Sequence, residues 1–250
     1  MKISLLFLSA ALTTVCVISV NASDHSNLEE NLPTQLEDAY PIEYGGREIQ
    51  SYATYVHDRE GHDLFQLGPS LEFGFAPNWQ GKILIPFEFG KGEQALQDVA
   101  IETLYNFNTD GVWLPAFALS ARGDLPTGPE SSGVDPTLKF IATKGLGRTS
   151  FFNQLHLNVA WTHNTDARAD ERENRFLAVV GWSARIDADT IGIIDYVHQQ
   201  EREKGIASDI IELGVRRQMT PLLTVSAGLG AGLNDDSPDF RGTLGIQKSF

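Results

Sequence analysis

The chain has 250 residues, with 33 Asp and Glu against 19 Lys and Arg, a formal net charge of −14. That balance excludes a nucleic-acid partner, whose affinity rests on neutralised phosphates, and attachment to anionic lipid by bulk charge. After the N-terminal segment there is no run of about 18 apolar residues, so the rest of the chain holds no spanning helix and is either soluble or a closed barrel.

Residues 1–22 have the layout of a secretory signal peptide: Lys2, an apolar run from Ile3 to Val20, and small Ala22 before the expected cleavage point. A transmembrane anchor is the competing reading. The short core and the lack of a basic stop-transfer flank weigh against it. Cys16, the single cysteine, lies inside this segment, and TTVC lacks the leucine expected three residues before a lipidated cysteine. The exported chain is then expected to hold no disulfide and no thiolate metal site. Residues 23–46 are rich in acids and free of Lys and Arg. They read as a leader, loosely ordered or docked at a barrel mouth, not as a separate domain.

From Arg47 to Phe250 the chain reads as about twelve segments of period two. In KILIPFEF, Ile83, Ile85, Phe87 and Phe89 share one face and Lys82 and Glu88 the other. DVAIETLYNF sets Val99, Ile101, Thr103, Tyr105 and Phe107 against Asp98, Glu102 and Asn106. VWLPAFALSAR places Trp113, Phe117 and Leu119 on one phase and Arg122 on the other. FNQLHLNVAWT sets Leu155, Leu157, Val159 and Trp161 against His156 and Asn158. FLAVVGWSARI aligns Phe176, Val180, Trp182 and Ala184 against Arg185, and IELGVRRQ aligns Ile211, Leu213 and Val215 against Glu212 and Arg216. Tight turns (APNWQ, NTDG, KGLGR, IDADT, MTP) alternate with longer polar loops (DREGH, GKGEQA, GDLPTGPESSGVDP, HNTDARADEREN, QQEREKGIA, NDDSPD). Loops sorted by side predict an all-β, antiparallel up-and-down transmembrane barrel over residues 47–250, with both termini in the periplasm of a Gram-negative cell.

The polar phase collects Glu72, Lys82, Glu88, Asp98, Glu102, Arg122, Lys139, Arg185, Asp195, Glu212, Arg216 and Arg241, six acids and six bases. Opposite charges compensate one another across a hydrated lumen, whereas unpaired ones away from water are costly. The expected orientation is therefore ionised side chains toward the axis and apolar ones, Trp113 and Phe117 included, toward lipid. The pore-lining set expected from this is Lys82, Glu88, Asp98, Glu102, Arg122, Lys139, His156, Arg185, Glu212 and Arg216. Aromatic residues cluster near both ends of the segments, as girdles at two membrane interfaces do. FRGTLGIQKSF, ending in Phe250, resembles the terminal strand read by barrel-assembly machinery, with Lys248 departing from the pattern.

FALSARGDLPTGPESSGVDPTLKFIATKGLG followed by QLHLNVAW, with the leader LEDAYPIEYGGREIQ, resembles the exported MetA-pathway-of-phenol-degradation family over about residues 35–250. The resemblance implies an outer-membrane barrel with a transport role. It carries over no catalytic residues.

His163 and Asn164 stand at a strand end without a serine tied to them by a motif, and they read as loop residues. The acids of DARADERE and NDDSPD lack calcium-loop spacing. GLGAGL precedes no helix, so its glycines make room inside the barrel instead of cradling phosphate. RGD, at Arg122–Asp124, reads as a strand end entering a turn. The expected function is an outer-membrane channel passing a small solute, whose aromatic or hydrophobic character is what the family resemblance implies, as a monomer embedded in outer-membrane lipid, without cofactor, metal or enzymatic activity. The alternative is a plugged barrel with a lipid hydrolase-like or structural role.

Overall fold

The computed structural model describes residues 25–90, 93–129, 132–147 and 153–250. The signal-peptide reading lies outside these residues, as do Phe151, which the sequence sets in an aromatic girdle, and Arg148 of KGLGR.

The strands are β1 (Arg47–His57), β2 (Asp63–Ala76), β3 (Trp79–Leu84), β4 (Phe87–Gly90), β5 (Glu93–Leu96), β6 (Val99–Asn106) and β7 (Ala116–Leu125). They continue with β8 (Asp135–Gly145), β9 (Asn153–His163), β10 (Asn174–Asp187), β11 (Thr190–Gln200), β12 (Ala207–Thr220), β13 (Leu223–Gly232) and β14 (Phe240–Ser249). Each pairs antiparallel with its neighbours, and β1 bonds both β2 and β14, which closes the sheet. Pro86 has no N–H to donate and breaks one stave into β3 and β4, both of which pair with β2. β5 and β6 are likewise halves of one stave, parted at Gln97 and Asp98. The fourteen segments therefore make twelve staves. The barrel is all-β, closed and antiparallel, as the periodicity implied.

Exposure alternates along the staves as lipid contact requires. Ile83, Ile101, Leu157, Val180, Leu213 and Leu244 are exposed, whereas Glu72, Lys139, Asn158, Glu212 and Gln247 are buried. At the turn end, where β1 begins, Phe73, Phe75, Trp79, Tyr105 and Phe107 form a continuous aromatic run, with successive centroids 4.6–6.1 Å apart. At the loop end the outward face carries a recurring polar station. Tyr55 and His57 both bond Asp63, at 2.7 and 2.8 Å, and Tyr196 and His198 both bond Asp209, at 2.5 and 2.8 Å. Trp161 and His163 share Asn174, at 3.1 and 3.2 Å. In each, the aromatic body faces the bilayer while its polar tip is satisfied at the interface.

Several expectations need correction. Trp113 is not on a strand: β7 starts at Ala116, and Val112, Trp113 and Leu114 form an exposed apolar tip in the connection 107–115. Pro115 bars pairing there, so this turn-end link is long where NTDG implied a tight one. Conversely, β4 ends at Gly90 and β5 begins at Glu93, so the link expected as the long loop GKGEQA is short. The leader neither hangs free nor sits at the mouth. It folds into the lumen. The lumen is also not uniformly polar, because Val179, Ile191, Ile193, Val197 and Ile210 turn inward and are buried.

Candidate functional site

Residues 25–46 form a hook in the lumen before the chain enters β1. The hook is closed on itself: the Asp38 N–H bonds the Leu28 carbonyl at 3.1 Å, and the Asp38 carboxylate accepts from the Leu28 N–H at 2.9 Å. At its tip the Leu32 N–H bonds the Glu29 carbonyl at 2.9 Å, with Asn31 at φ 67°, a conformation Asn tolerates. Peptide groups inside a barrel must find partners there, and side chains of the wall supply them. Glu212 accepts from the Gln35 N–H at 2.8 Å, Asn158 from the Glu37 N–H at 2.9 Å, and Thr143 from the Ala39 N–H at 3.0 Å. Gln80 accepts from the Ile42 N–H at 2.8 Å. Arg216, fully buried, donates to the Leu32 carbonyl at 2.8 Å and to Gln247 at 2.5 Å. Asn106 and Asn158 donate to the carbonyls of Ala39 and Glu37, at 2.6 and 2.8 Å.

The leader's acids meet the wall's bases. Lys82 pairs with Glu29 at 3.0 Å; Lys139 pairs with Glu30 at 2.6 Å and with Glu37, and stands 3.7 Å from Glu102. Glu102 also accepts from Ser120 Oγ. Arg241 donates to Asn31 at 2.8 Å and pairs with Glu212 at 3.4 Å. A leader without a single Lys or Arg therefore complements wall cations that would otherwise be buried without counter-charge. Toward the turn end, Gln50 and Gln80 donate to Glu72 at 2.5 and 2.6 Å, and Gln247 and Ser249 donate to Glu48.

Packing completes the fit. Leu28 and Leu36 bury against Val179, Ile191, Ile193, Val197 and Ile210, and Ala39 against Leu104, Ala116, Ala118 and Ile141. Each leucine contributes about 1.5–3 kcal/mol by leaving water. Glycines clear the track on which the hook lies. A Cβ on Gly214 would stand 2.5 Å from Pro33, and one on Gly245 would stand 2.4 Å from Leu32. Gly228, from the GLGAGL run, abuts the Pro33 carbonyl oxygen in the same way. Beside the tip a void of about 20 Å³ remains between Tyr52, Lys82, Glu102 and Arg122, room for one water. Above it, toward the loop end, opens a vestibule of about 920 Å³.

Of the expected lining set, Lys82, Glu102, Lys139, Glu212 and Arg216 converge on the hook. Arg122 lies above it, paired with Asp124 at 2.6 Å. His156 is buried, with its ring nitrogens 3.1 Å from Thr143 Oγ and 2.9 Å from Ser183 Oγ, so it positions the threonine that holds the Ala39 N–H. Glu88 is half-buried on β4 and accepts from Gln66 at 3.3 Å, away from the hook. Asp98 serves a different purpose: at the β5–β6 break it accepts from the N–H groups of Thr127 and Gly128, at 3.1 and 2.8 Å, and ties down the following loop. Arg185 sits beside the irregularity between Arg185 and Asp187 at the turn end of β10 and is not part of the cluster. The residues that sequence reasoning missed are the leader's Glu29, Glu30 and Glu37, Glu48, Gln50 and Gln247 of the belt that includes the expected Glu72, and the inward apolar residues of β11. The only available signal was the charge complement between a wholly acidic leader and the wall cations.

The long loops hold one another. Arg202 pairs with Glu171 at 3.1 Å and with Asp135 at 3.6 Å. The Arg168 N–H and then Arg202 hold the Glu171 carboxyl below its ordinary range. His163, weighed as a catalytic residue, stacks on Trp161 and bonds an amide, Asn174.

No protein-family model and no curated protein sequence matches the chain. Among solved structures it resembles an outer membrane channel from Pseudomonas putida F1, with a TM-score of 0.63 at 14% identity, over 85% of this chain and 98% of that one. It also resembles the KdgM porin (TM-score 0.55, 9% identity, 81% and 99% covered) and the NanC porin (0.52, 11%, 81% and 98%). The fold is that of outer-membrane barrels.

Proposed function

We propose that this chain is an outer-membrane channel whose path is occupied by its own leader, and that it passes small solutes of aromatic or hydrophobic character when the leader shifts. The hook carries this reading. A wall built only for rigidity needs no glycine track and no inward carbonyl partners. This one is shaped to hold a separate segment that enters from the turn end, the periplasmic side, and that runs on into β1. The apolar strip under Leu28 and Leu36 supports the solute class, since displacing the hook would bare Val179, Val197 and Ile210 beside a charged opposite wall. The neighbouring folds of channels and porins support the role.

The test is conductance in planar bilayers and swelling of liposomes with a panel of aromatic acids, sugars and fatty acids, for the whole chain and for a variant lacking residues 25–42. Deletion should raise conductance severalfold. A barrel equally tight with and without those residues would refute the channel reading and favour the structural alternative.

A further inference from the structure

Above the hook the vestibule holds one cation that the protein leaves unused. Arg175 lines it, on the inward phase of β10, and among the described residues its side chain makes no ion pair and no hydrogen bond; its Nε is buried without a partner. The acids nearest to it are committed elsewhere. Asp124 pairs with Arg122 at 2.6 Å, Asp135 accepts from the Thr165 N–H at 2.7 Å, and Glu201 accepts from Ser208 Oγ at 2.7 Å. Other vestibule cations are likewise engaged, Lys139 by Glu30 and Glu37 and Arg241 by Glu212 and Asn31. Asp124, Glu201 and Asp135 act on Arg175 only through space, and a guanidinium withdrawn from bulk water without a hydrogen-bonded partner is costly; its planar donor fork fits a carboxylate.

Directly below Arg175 on the same face stands Leu177, about 7 Å along the strand, which packs against the cluster formed by Val179, Val197, Ile210 and the leader's Leu28 and Leu36. Ile206 and Ile210 line the same cavity. Among the described residues, one wall of the vestibule therefore reads, from the outside inward, as a cation with no ion pair followed by an apolar strip. The rim is acidic, with Glu60, Asp235 and Asp236, so a ligand must present one anionic group to the wall and not several. A volume of about 920 Å³ lies within the range of small-molecule sites.

We infer that the vestibule is a binding site for a monoanionic amphiphile, whose carboxylate is held by Arg175 and whose apolar body lies on Leu177, Ile206 and Ile210. The site deepens the channel reading above, because it stands at the solute's way in. The tail ends where Leu28 and Leu36 begin, so bound ligand competes with the hook for the same strip.

The test uses the full exported chain in nanodiscs and isothermal titration with 4-butylbenzoate, 4-butylbenzyl alcohol and 4-butylbenzylammonium, with empty nanodiscs as the blank. The benzoate should bind saturably and most tightly. Arg175→Gln should weaken it about ten- to hundredfold, the loss of a charge-assisted hydrogen bond, while leaving the alcohol unchanged. Arg175→Lys should recover part of the loss. Absence of binding above the blank, equal affinity in R175Q, or preference for the ammonium ligand would overturn the inference. Liposome uptake of the same benzoate separates the two readings. Binding without passage refutes the channel but keeps the site, and passage with R175Q binding unchanged refutes the site but keeps the channel.

Discussion

Replacing Lys139 with alanine should release the hook. Lys139 is buried, pairs with Glu30 at 2.6 Å and with Glu37, and stands 3.7 Å from Glu102, so its removal leaves carboxylates of both leader and wall facing one another. Removing one partner of a buried ion pair costs about 3–5 kcal/mol, and here that cost falls on the inserted state, because in the displaced state Glu30 and Glu37 are hydrated. At 1.4 kcal/mol per decade the displaced-to-inserted ratio rises roughly a hundred- to several-thousandfold. Lys82 with Glu29, Arg216 with the Leu32 carbonyl and the two leucines still oppose release, so the hook need not leave outright. The assay is maleimide labelling of Thr34→Cys in a chain carrying Cys16→Ser. Thr34 is 1% exposed and its substitution nearly isosteric, so labelling reports only the displaced fraction and should accelerate by the same factor. A triple variant, Glu30→Gln, Glu37→Gln and Lys139→Met, removes both signs of charge and should return most of the protection. A labelling rate in K139A within a few-fold of the parent, in a barrel that still shows its heat-dependent gel shift, would refute the electrostatic account of the latch.

Gly214→Val should displace the hook sterically, since even a Cβ there stands 2.5 Å from Pro33 and 2.9 Å from Thr34, whereas Gly123→Ala, whose Cβ has its nearest neighbour at 3.5 Å, should leave labelling unchanged. Leu213→Arg places a cation on the lipid face, where Leu213 is exposed, and should cost about 2–4 kcal/mol of folding stability if that position lies at the bilayer midplane. Urea unfolding from lipid vesicles measures it. The Glu171 carboxyl is held below its ordinary range, so its contribution is present above the unfolded-state value of about 4.3 and is lost as pH falls through the lowered folded value. Hydrogen-exchange protection across 164–173 and 201–206, taken relative to the intrinsic exchange rate at each pH, should therefore fall under acid in the parent, and already at neutral pH in Glu171→Gln. Asp209→Ala removes the shared acceptor of Tyr196, His198 and Asn234 and should speed proteolysis within 233–239 without altering leader labelling.

The sequence by itself determined the barrel. Ile83 and Lys82, Leu157 and His156, Leu213 and Glu212 alternate with the period of a pleated strand, and a phase rich in both signs of charge can lie only toward the axis of a sheet whose other phase meets lipid. Where a strand is apolar on both phases the pattern goes silent. In β11, Ile193 and Ile194 are equivalent by type, and only register with β10 and β12 turns the first inward under the leader and the second out. The same limit hid Trp113, whose alternation with Phe117 is broken by Pro115, and Asp98, whose place in the polar phase said nothing of the break it caps. The leader was least legible. Its partners lie as far as 210 residues away, at Arg241 for Asn31, and local periodicity carries no information about contacts made across a closed cylinder. Closure decided the rest. Once twelve staves meet, wall cations far apart in the chain face a common interior from which bulk water is largely displaced, and the acidic hook is the segment that supplies their counter-charge.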